Sequence, residues 1–187
     1  MDATAKFVAG CWIVFIAFWI VSAFSVKKTR AQQPIRDRLL YLVLTAVVAV
    51  LLNGSVRVIH WDRAVLPHTF ARGILADLLV LVGLCVAIWA RVTLGGNWSA
   101  RVTLKEEHEL VQRGPYRVVR HPIYAGLLLM ILGTAILGGQ VSGFVAVAIC
   151  FGGFWMKLRQ EEALLTKHLP GYSEYMHHTK ALVPFIF

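Results

Sequence analysis

The residues able to do chemistry gather in the second half of the chain. Residues 94–121 read LGGNWSARVTLKEEHELVQRGPYRVVRH, a 28-residue polar connection that leads straight into Pro122-Ile123-Tyr124. Connections this long are usually functional. Proline suits the first position of a helix and pushes the preceding residue out of helical geometry, so His121 is predicted at a helix start. The unpaired N–H groups and positive dipole end of such a start can hold a carboxylate or phosphate. Equally, Pro122 need do no more than begin the helix, with His121 as its cap. Further on, Lys157, Glu161 and Leu165 share one helical stripe, and Leu158 and Glu162 the adjacent one. A Lys–Glu pair at this spacing is worth only a few tenths of a kcal/mol. Its place at the end of an apolar run, beside the polar connection, makes a functional role as reasonable as an ornamental one. Leu169, Tyr172, Tyr175 and Met176 then follow at helical spacings around Pro170-Gly171, as in an interfacial amphipathic segment lying over the same mouth.

Other candidates have plainer readings. His60, Asp62 and His68 could be drawn as metal ligands, but with Trp61 they read as a solvated interfacial loop. Asp77 sits inside an apolar run, where an acid is costly; it lies about one turn from the start, so a snorkelled acid and a functional one both fit. Cys11, Cys85 and Cys150 all lie in apolar runs without a C-x-x-C pair, which argues against a disulfide framework or a zinc site.

The elements that must position these groups are membrane spans. Of the 187 residues, 58% are hydrophobic and 16% charged, and the mean hydropathy is +0.66. Soluble chains hold roughly 45–50% apolar and about 25% charged residues. The excess excludes a disordered tail and an ordinary nucleic-acid-binding domain, and it disfavours a soluble enzyme. Five apolar runs, residues 7–26, 39–59, 74–94, 123–137 and 141–158, are predicted to form about five transmembrane helices of an all-α integral membrane protein. The last two are joined so tightly that they form an antiparallel hairpin, with Gly126, Gly133, Gly152 and Gly153 available for close contact. The first run is too long for a signal peptide and is followed by Lys27, Lys28 and Arg30, so it reads as a retained span. Fifteen of the 19 Lys and Arg residues lie in the segments around 27–38, 91–120 and 157–180, leaving Lys6, Arg57, Arg63 and Arg72 opposite. The positive-inside bias then puts the N-terminus outside and the polar mouth in the cytoplasm. The expected division is residues 1–70, holding spans 1 and 2, and residues 71–187, holding spans 3 to 5 with the catalytic region.

The string G-P-Y-R-V-V-R-H-P-I-Y-A-G at 114–126, preceded by H-E-L-V and followed by E-E-A-L-L at 161–165 and G-Y-S-E-Y at 171–175, resembles the isoprenylcysteine carboxyl methyltransferase family. The likeness covers residues 94–184. The R-H-P-x-Y-x-G run with a downstream acid pair also marks a wider superfamily of phospholipid N-methyltransferases, small-thiol methyltransferases and, more distantly, nicotinamide-dependent sterol reductases. The resemblance implies a cytoplasmic S-adenosyl-L-methionine site built from His108, Glu109, Leu110, Val111, Tyr116, His121, Pro122, Ile123, Tyr124 and Glu161. It places a basic residue one turn before the first acid on the substrate side. By register this is Lys157, where the family more often has arginine, and Arg159 lies two residues away. Arg120, Glu161 and Glu162 complete the candidate catalytic set. No strand, glycine-rich turn and helix of the Rossmann kind is present.

The chemistry so implied is methyl transfer to a lipid-like or prenylated acceptor, with membrane lipids as surroundings and no nucleic acid. The helix start at Pro122 suits the carboxylate of the methyl donor, and the faces of Tyr116 and Tyr124 suit its cation or adenine. A carboxylate acceptor is already ionised at neutral pH and needs aiming by Lys157 or Arg159, but no general base. An amine acceptor would need Glu161, Glu162 or His121 to take a proton. The alternatives are a phospholipid or small-thiol methyltransferase of the same build and, outside enzymes, a membrane scaffold with a decayed site. Oligomeric state is not legible.

Overall fold

The structure, a computed structural model, describes residues 3–24, 29–32, 35–52, 63–98, 103–105 and 110–183, the side chains of 29–32, 35–42 and 103–105 excepted. Each of the five apolar runs contributes a helix among the described residues: α1 (Ala3–Ala23), α2 (Ile35–Leu52), α3 (Phe70–Leu94), α4 (Pro122–Gly138) and α5 (Val141–His168), followed by the short α6 (Tyr172–His178); residues 53–59 of the second run lie outside the described residues. The fold is helical; the departure from the all-α expectation is one antiparallel ladder between β1 (Thr29–Gln32) and β2 (Thr103–Lys105). Among the described residues, three helical stretches, Ala3–Ala23, Phe70–Asn97 and Val141–His168, are long and apolar enough to cross a bilayer, while the apolar stretches Val43–Leu52 and Pro122–Gly138 are shorter. Helix α5 has 28 residues, about 42 Å at 1.5 Å per residue. That exceeds a hydrocarbon core of about 30 Å, so the turns from Lys157 onward have length to reach beyond it. Ile13, Ile16 and Ile20 on α1 and Leu75, Leu78, Val82 and Trp89 on α3 are exposed. In water so much outward apolar surface would be a liability; against lipid it is the required surface.

The ends of the elements follow from local chemistry. Thr69 caps α3, its hydroxyl accepting the Arg72 N–H at 3.2 Å. Helix α4 ends on Gly139 in the left-handed region at φ 65°, where a glycine carries no Cβ penalty. Its N–H closes on the Ala135 carbonyl at 2.8 Å, and its carbonyl accepts the Val65 and Leu66 N–H groups.

The tightest packing is between α3 and α4. A Cβ on Gly83 would lie 2.5 Å from the Gly126 carbonyl oxygen, and one on Gly126 would lie 2.6 Å from the Gly83 oxygen. At Gly133 it would meet the Val80 side chain and the Ala76 carbonyl. The two backbones therefore touch directly, the close approach that small residues permit between helices in lipid. This corrects the reading of the glycines as the α4–α5 seam. Gly126 and Gly133 face α3, Gly152 faces open space, and Gly153 looks toward Leu44 of α2. The α4–α5 contact uses Gly143 against Ala135 instead. Beside the glycine seam, Met130 is fully buried among Val8, Cys11, Val80 and Leu84, and the Trp12 indole N–H donates to Thr134 Oγ at 3.0 Å. On the other flank Val48 and Leu51 of α2 pack on Ala146 of α5.

Candidate functional site

The site forms where α4 begins. Gly114, at φ 57°, and Pro115 turn the connection into a single 3-10 turn, Gly114–Arg117, that buries Tyr116. The chain then runs beside the segment after α6. Val119 bridges Lys180 in parallel, the Arg120 N–H donates to the Lys180 carbonyl at 2.8 Å, and the His121 N–H donates to the Ala181 carbonyl at 3.0 Å. His121 caps α4 in a non-helical conformation, φ −123° and ψ 58°, without a side-chain cap bond, and Pro122 follows. Its place at a helix start is the expected one, and its ring is left for other partners.

Those partners are the two consecutive acids of α5. Glu162 is buried and takes two donors on one oxygen: Arg120 Nε at 2.7 Å and, across 3.2 Å, His121 Nε2. Arg120 also donates through one Nη to the carbonyls of Met176, at 3.2 Å, and Thr179. An arginine at that place answers carbonyls that α6 leaves unpaired at its C-terminal end. Glu161 points the other way. It accepts the Tyr124 hydroxyl at 2.8 Å and lies 3.6 Å from His121 Nδ1. The rings of His121, Tyr124 and Phe154 stack in a file at centroid spacings of 5.5 and 5.0 Å, and the Lys157 ammonium stands 5.4 Å above the Tyr124 ring. Acid, cation and aromatic face thus occupy one wall.

That wall closes a cavity of about 280 Å³. Among the expected residues, Leu110, Val111, Tyr116, Arg120, His121, Ile123, Tyr124, Lys157 and Glu161 line it. Pro122 is buried at the helix start behind them. Glu162 is not part of the lining, being turned to Arg120. Arg159 also lies off the cavity, its guanidinium 5.7 Å above the Trp155 ring. His108 and Glu109 lie outside the described residues, as do His60 and Asp62. Sequence reasoning missed Trp19, Asn97 and Trp98, which also line the cavity, and Phe154, stacked on Tyr124. The asparagine–tryptophan pair inside an otherwise featureless glycine turn was the available signal. Tyr172 and Tyr175 of α6 also line the space, and the Tyr175 hydroxyl donates to the Tyr116 carbonyl at 2.6 Å. Burial pushes the Tyr116 and Tyr172 phenols well up and Tyr175 to about 12. All three stay neutral near pH 7, so they can donate hydrogen bonds but not serve as standing bases.

With this geometry in hand, the likeness to known proteins is informative. Residues 75–167 match the isoprenylcysteine carboxyl methyltransferase (ICMT) family. The cobalt-zinc-cadmium resistance protein CzcN of Cupriavidus metallidurans is 30% identical over 76% of this chain and 61% of its own length. The protein-S-isoprenylcysteine O-methyltransferase of Saccharomyces cerevisiae is 32% identical over 78% of this chain and 61% of its own length. This chain therefore spans about three fifths of either relative. The solved structure of the eukaryotic intramembrane Ras methyltransferase ICMT superposes with a TM-score of 0.57 at 22% identity, over 78% of this chain and 52% of that one, a likeness of fold. The matched region holds most of α3, all of α4, nearly all of α5 and Arg120, His121, Lys157 and Glu161 of the cavity wall. The chain is an integral membrane protein that, over about half its length, matches the isoprenylcysteine carboxyl methyltransferase family.

Proposed function

We propose that this chain is an integral-membrane methyltransferase that moves a methyl group from S-adenosyl-L-methionine to the carboxylate of an isoprenylcysteine or similar lipid-like acceptor. The observation that carries the reading is the single wall on which Glu161, Lys157 and the Tyr124 ring stand together at the start of α4. The residues present suit the donor. Glu161 is a partner for its ammonium, the first-turn amides of α4 are partners for its carboxylate, and the Tyr124 and Tyr116 faces are apolar surfaces that tolerate a sulfonium. When bound, that group supplies an activated methyl on a cationic sulfur.

The chain's own part is alignment and exclusion of water. Lys157 pairs with the acceptor carboxylate and aims one oxygen. The acceptor is ionised at neutral pH, so no proton has to leave and no base is asked for. This agrees with Glu162 being held by Arg120 and His121, and with three tyrosines that stay protonated. Helix α6, stitched down through Arg120, covers the space from the polar side.

The acceptor class is tested on purified protein. We expect tritiated methyl to pass from S-adenosyl-L-methionine to a farnesylcysteine analogue, with kcat/KM showing no deprotonation limb between about pH 5.5 and 9. Transfer only to phosphatidylethanolamine, with a rate climbing as pH rises, would replace this reading by an amine methyltransferase; transfer only to a simple thiol would make it a thiol methyltransferase.

We further propose five membrane crossings, with α2 and α4 as the shorter ones, the N-terminus outside and the cavity opening to the cytoplasm. The support is the distribution of Lys and Arg. With Cys11, Cys85 and Cys150 replaced by alanine, a cysteine at the exposed Ser173 should react only with cytoplasmic reagent, and one at the exposed Ala64 only with external reagent. Labelling of both from the same side would defeat the topology.

A further inference from the structure

The lining contributed by α1 and by the end of α3 and its following turn differs in kind from the wall just described. The ionisable side chains Arg120, His121, Lys157 and Glu161 belong to the segment before α4 and to α5, whereas Trp19, Leu94, Asn97 and Trp98 bring no charge. Asn97 is 8% exposed and lines the cavity, yet its carboxamide oxygen has no hydrogen-bond partner among the described residues. A buried acceptor left in that state costs about 1–3 kcal/mol, and native structures rarely tolerate it without a reason.

The surroundings hold Asn97 in place. It closes the 3-10 turn Gly95–Asn97, whose first residue sits at φ 56°. Arg91, buried at the end of α3, donates to the Gly95 carbonyl at 2.9 Å and to the Ser22 carbonyl of α1 at 2.6 Å. Its guanidinium lies 4.5 Å from the centre of the Trp98 ring, and Trp98 meets Trp19 edge to face at 6.1 Å. The turn, the two indoles and the end of α1 are thereby tied into one rigid group. The torsion that turns an asparagine carboxamide is broad and roughly two-fold, so the unmatched oxygen can be presented to the cavity without disturbing this frame.

A narrow space between aromatic and apolar side chains, with a single carboxamide acceptor, is the recognition pattern for a flat nitrogen heterocycle carrying an N–H donor. An isoprenoid chain has no donor to offer it. Resting on the methyltransferase reading above, we infer that Asn97 reads the 6-amino group of the donor's adenine. The bound donor would then lie with its charged amino-acid end on the α4–α5 wall and its neutral nucleoside end against Trp98. Asparagine is a specificity-determining residue here, remote from the reacting atoms.

The test is calorimetric binding, independent of turnover. Full-length protein in detergent is titrated with S-adenosylhomocysteine and with the analogue in which hydrogen replaces the 6-amino group. We expect the wild type to favour the adenine ligand by about tenfold. Asn97→Leu, of similar volume and without the unmatched polar atom, should bind both ligands alike at the weaker affinity, with no fall in Tm. Asn97→Ser is measured beside it. Retention of the full wild-type preference in either variant overturns the assignment. So does a loss of both ligands in equal measure together with Tm, which would mark Asn97 as a purely structural residue. A wild type that binds both ligands equally overturns the assignment but leaves the methyltransferase reading standing. A wild type that binds neither removes that reading as well.

Discussion

Arg120→Met should destabilise the protein by about 3–5 kcal/mol, read as a fall in Tm in detergent. The substitution leaves the buried Glu162 carboxylate without its guanidinium and frees the carbonyls of Met176 and Thr179. Removing one end of a buried ion pair is much worse than removing both, because the remaining charge stays out of water without compensation. The paired change Arg120→Met with Glu162→Leu should therefore recover a large part of the loss, and the coupling between the two sites should be far from additive. Glu162→Gln should cost less than either, since an amide oxygen still accepts from Arg120. An Arg120→Met protein with an unchanged melting curve would show that the contacts of this arginine carry no stability.

The second large effect is expected on rate. Lys157→Gln should lower kcat/KM for a prenylcysteine acceptor by about two orders of magnitude, near 3 kcal/mol of lost alignment for a hydrogen-bonded charge pair. Affinity for S-adenosylhomocysteine should move less than threefold. Arg159→Gln should change little, because that guanidinium rests on Trp155 and off the cavity lining. If Arg159→Gln proves the damaging change and Lys157→Gln does not, the acceptor is held from the other face of α5.

Much of this was legible in the sequence, and the limits were physical. Apolar runs of membrane length announce helices, because hydrocarbon offers the backbone no other partners, and each of the five has a helix among its described residues. The helix start at Pro122 and the stripe of Lys157 and Glu161 were legible for the same kind of reason: a missing N–H and a fixed 3.6-residue period are local facts. What faces what across the bundle was not. The turn at Gly139 makes α4 and α5 neighbours but says nothing of how each is rotated, so Gly126 and Gly133 were assigned to the wrong partner. The two consecutive acids looked alike in sequence. Only the position of Arg120 beyond one edge of α5 separates the buried Glu162 from the cavity-lining Glu161. Trp19 and Asn97 come together through the Arg91 contacts with Ser22 and Gly95, which join residues 69 apart and leave no periodic trace.

The contact of Gly83 with Gly126 governs how this molecule can breathe. An ordinary helix interface has a cushion of side chains whose rotamers absorb a displacement of an ångström or so. Where Gly83 and Gly126 meet, that cushion is missing, and carbonyl oxygens abut the opposite backbone. The two helices form a single stiff beam, with the Asn97 turn just past the end of one member and the Pro122 start at the adjoining end of the other. The span between those two points is then a fixed gauge length, set by backbone and indifferent to side-chain motion. Room for a bulky guest has to come from α6 and the segment stitched beside it, which are held by Arg120, a few hydrogen bonds and the packing of Ala181 and Leu182 on Leu158.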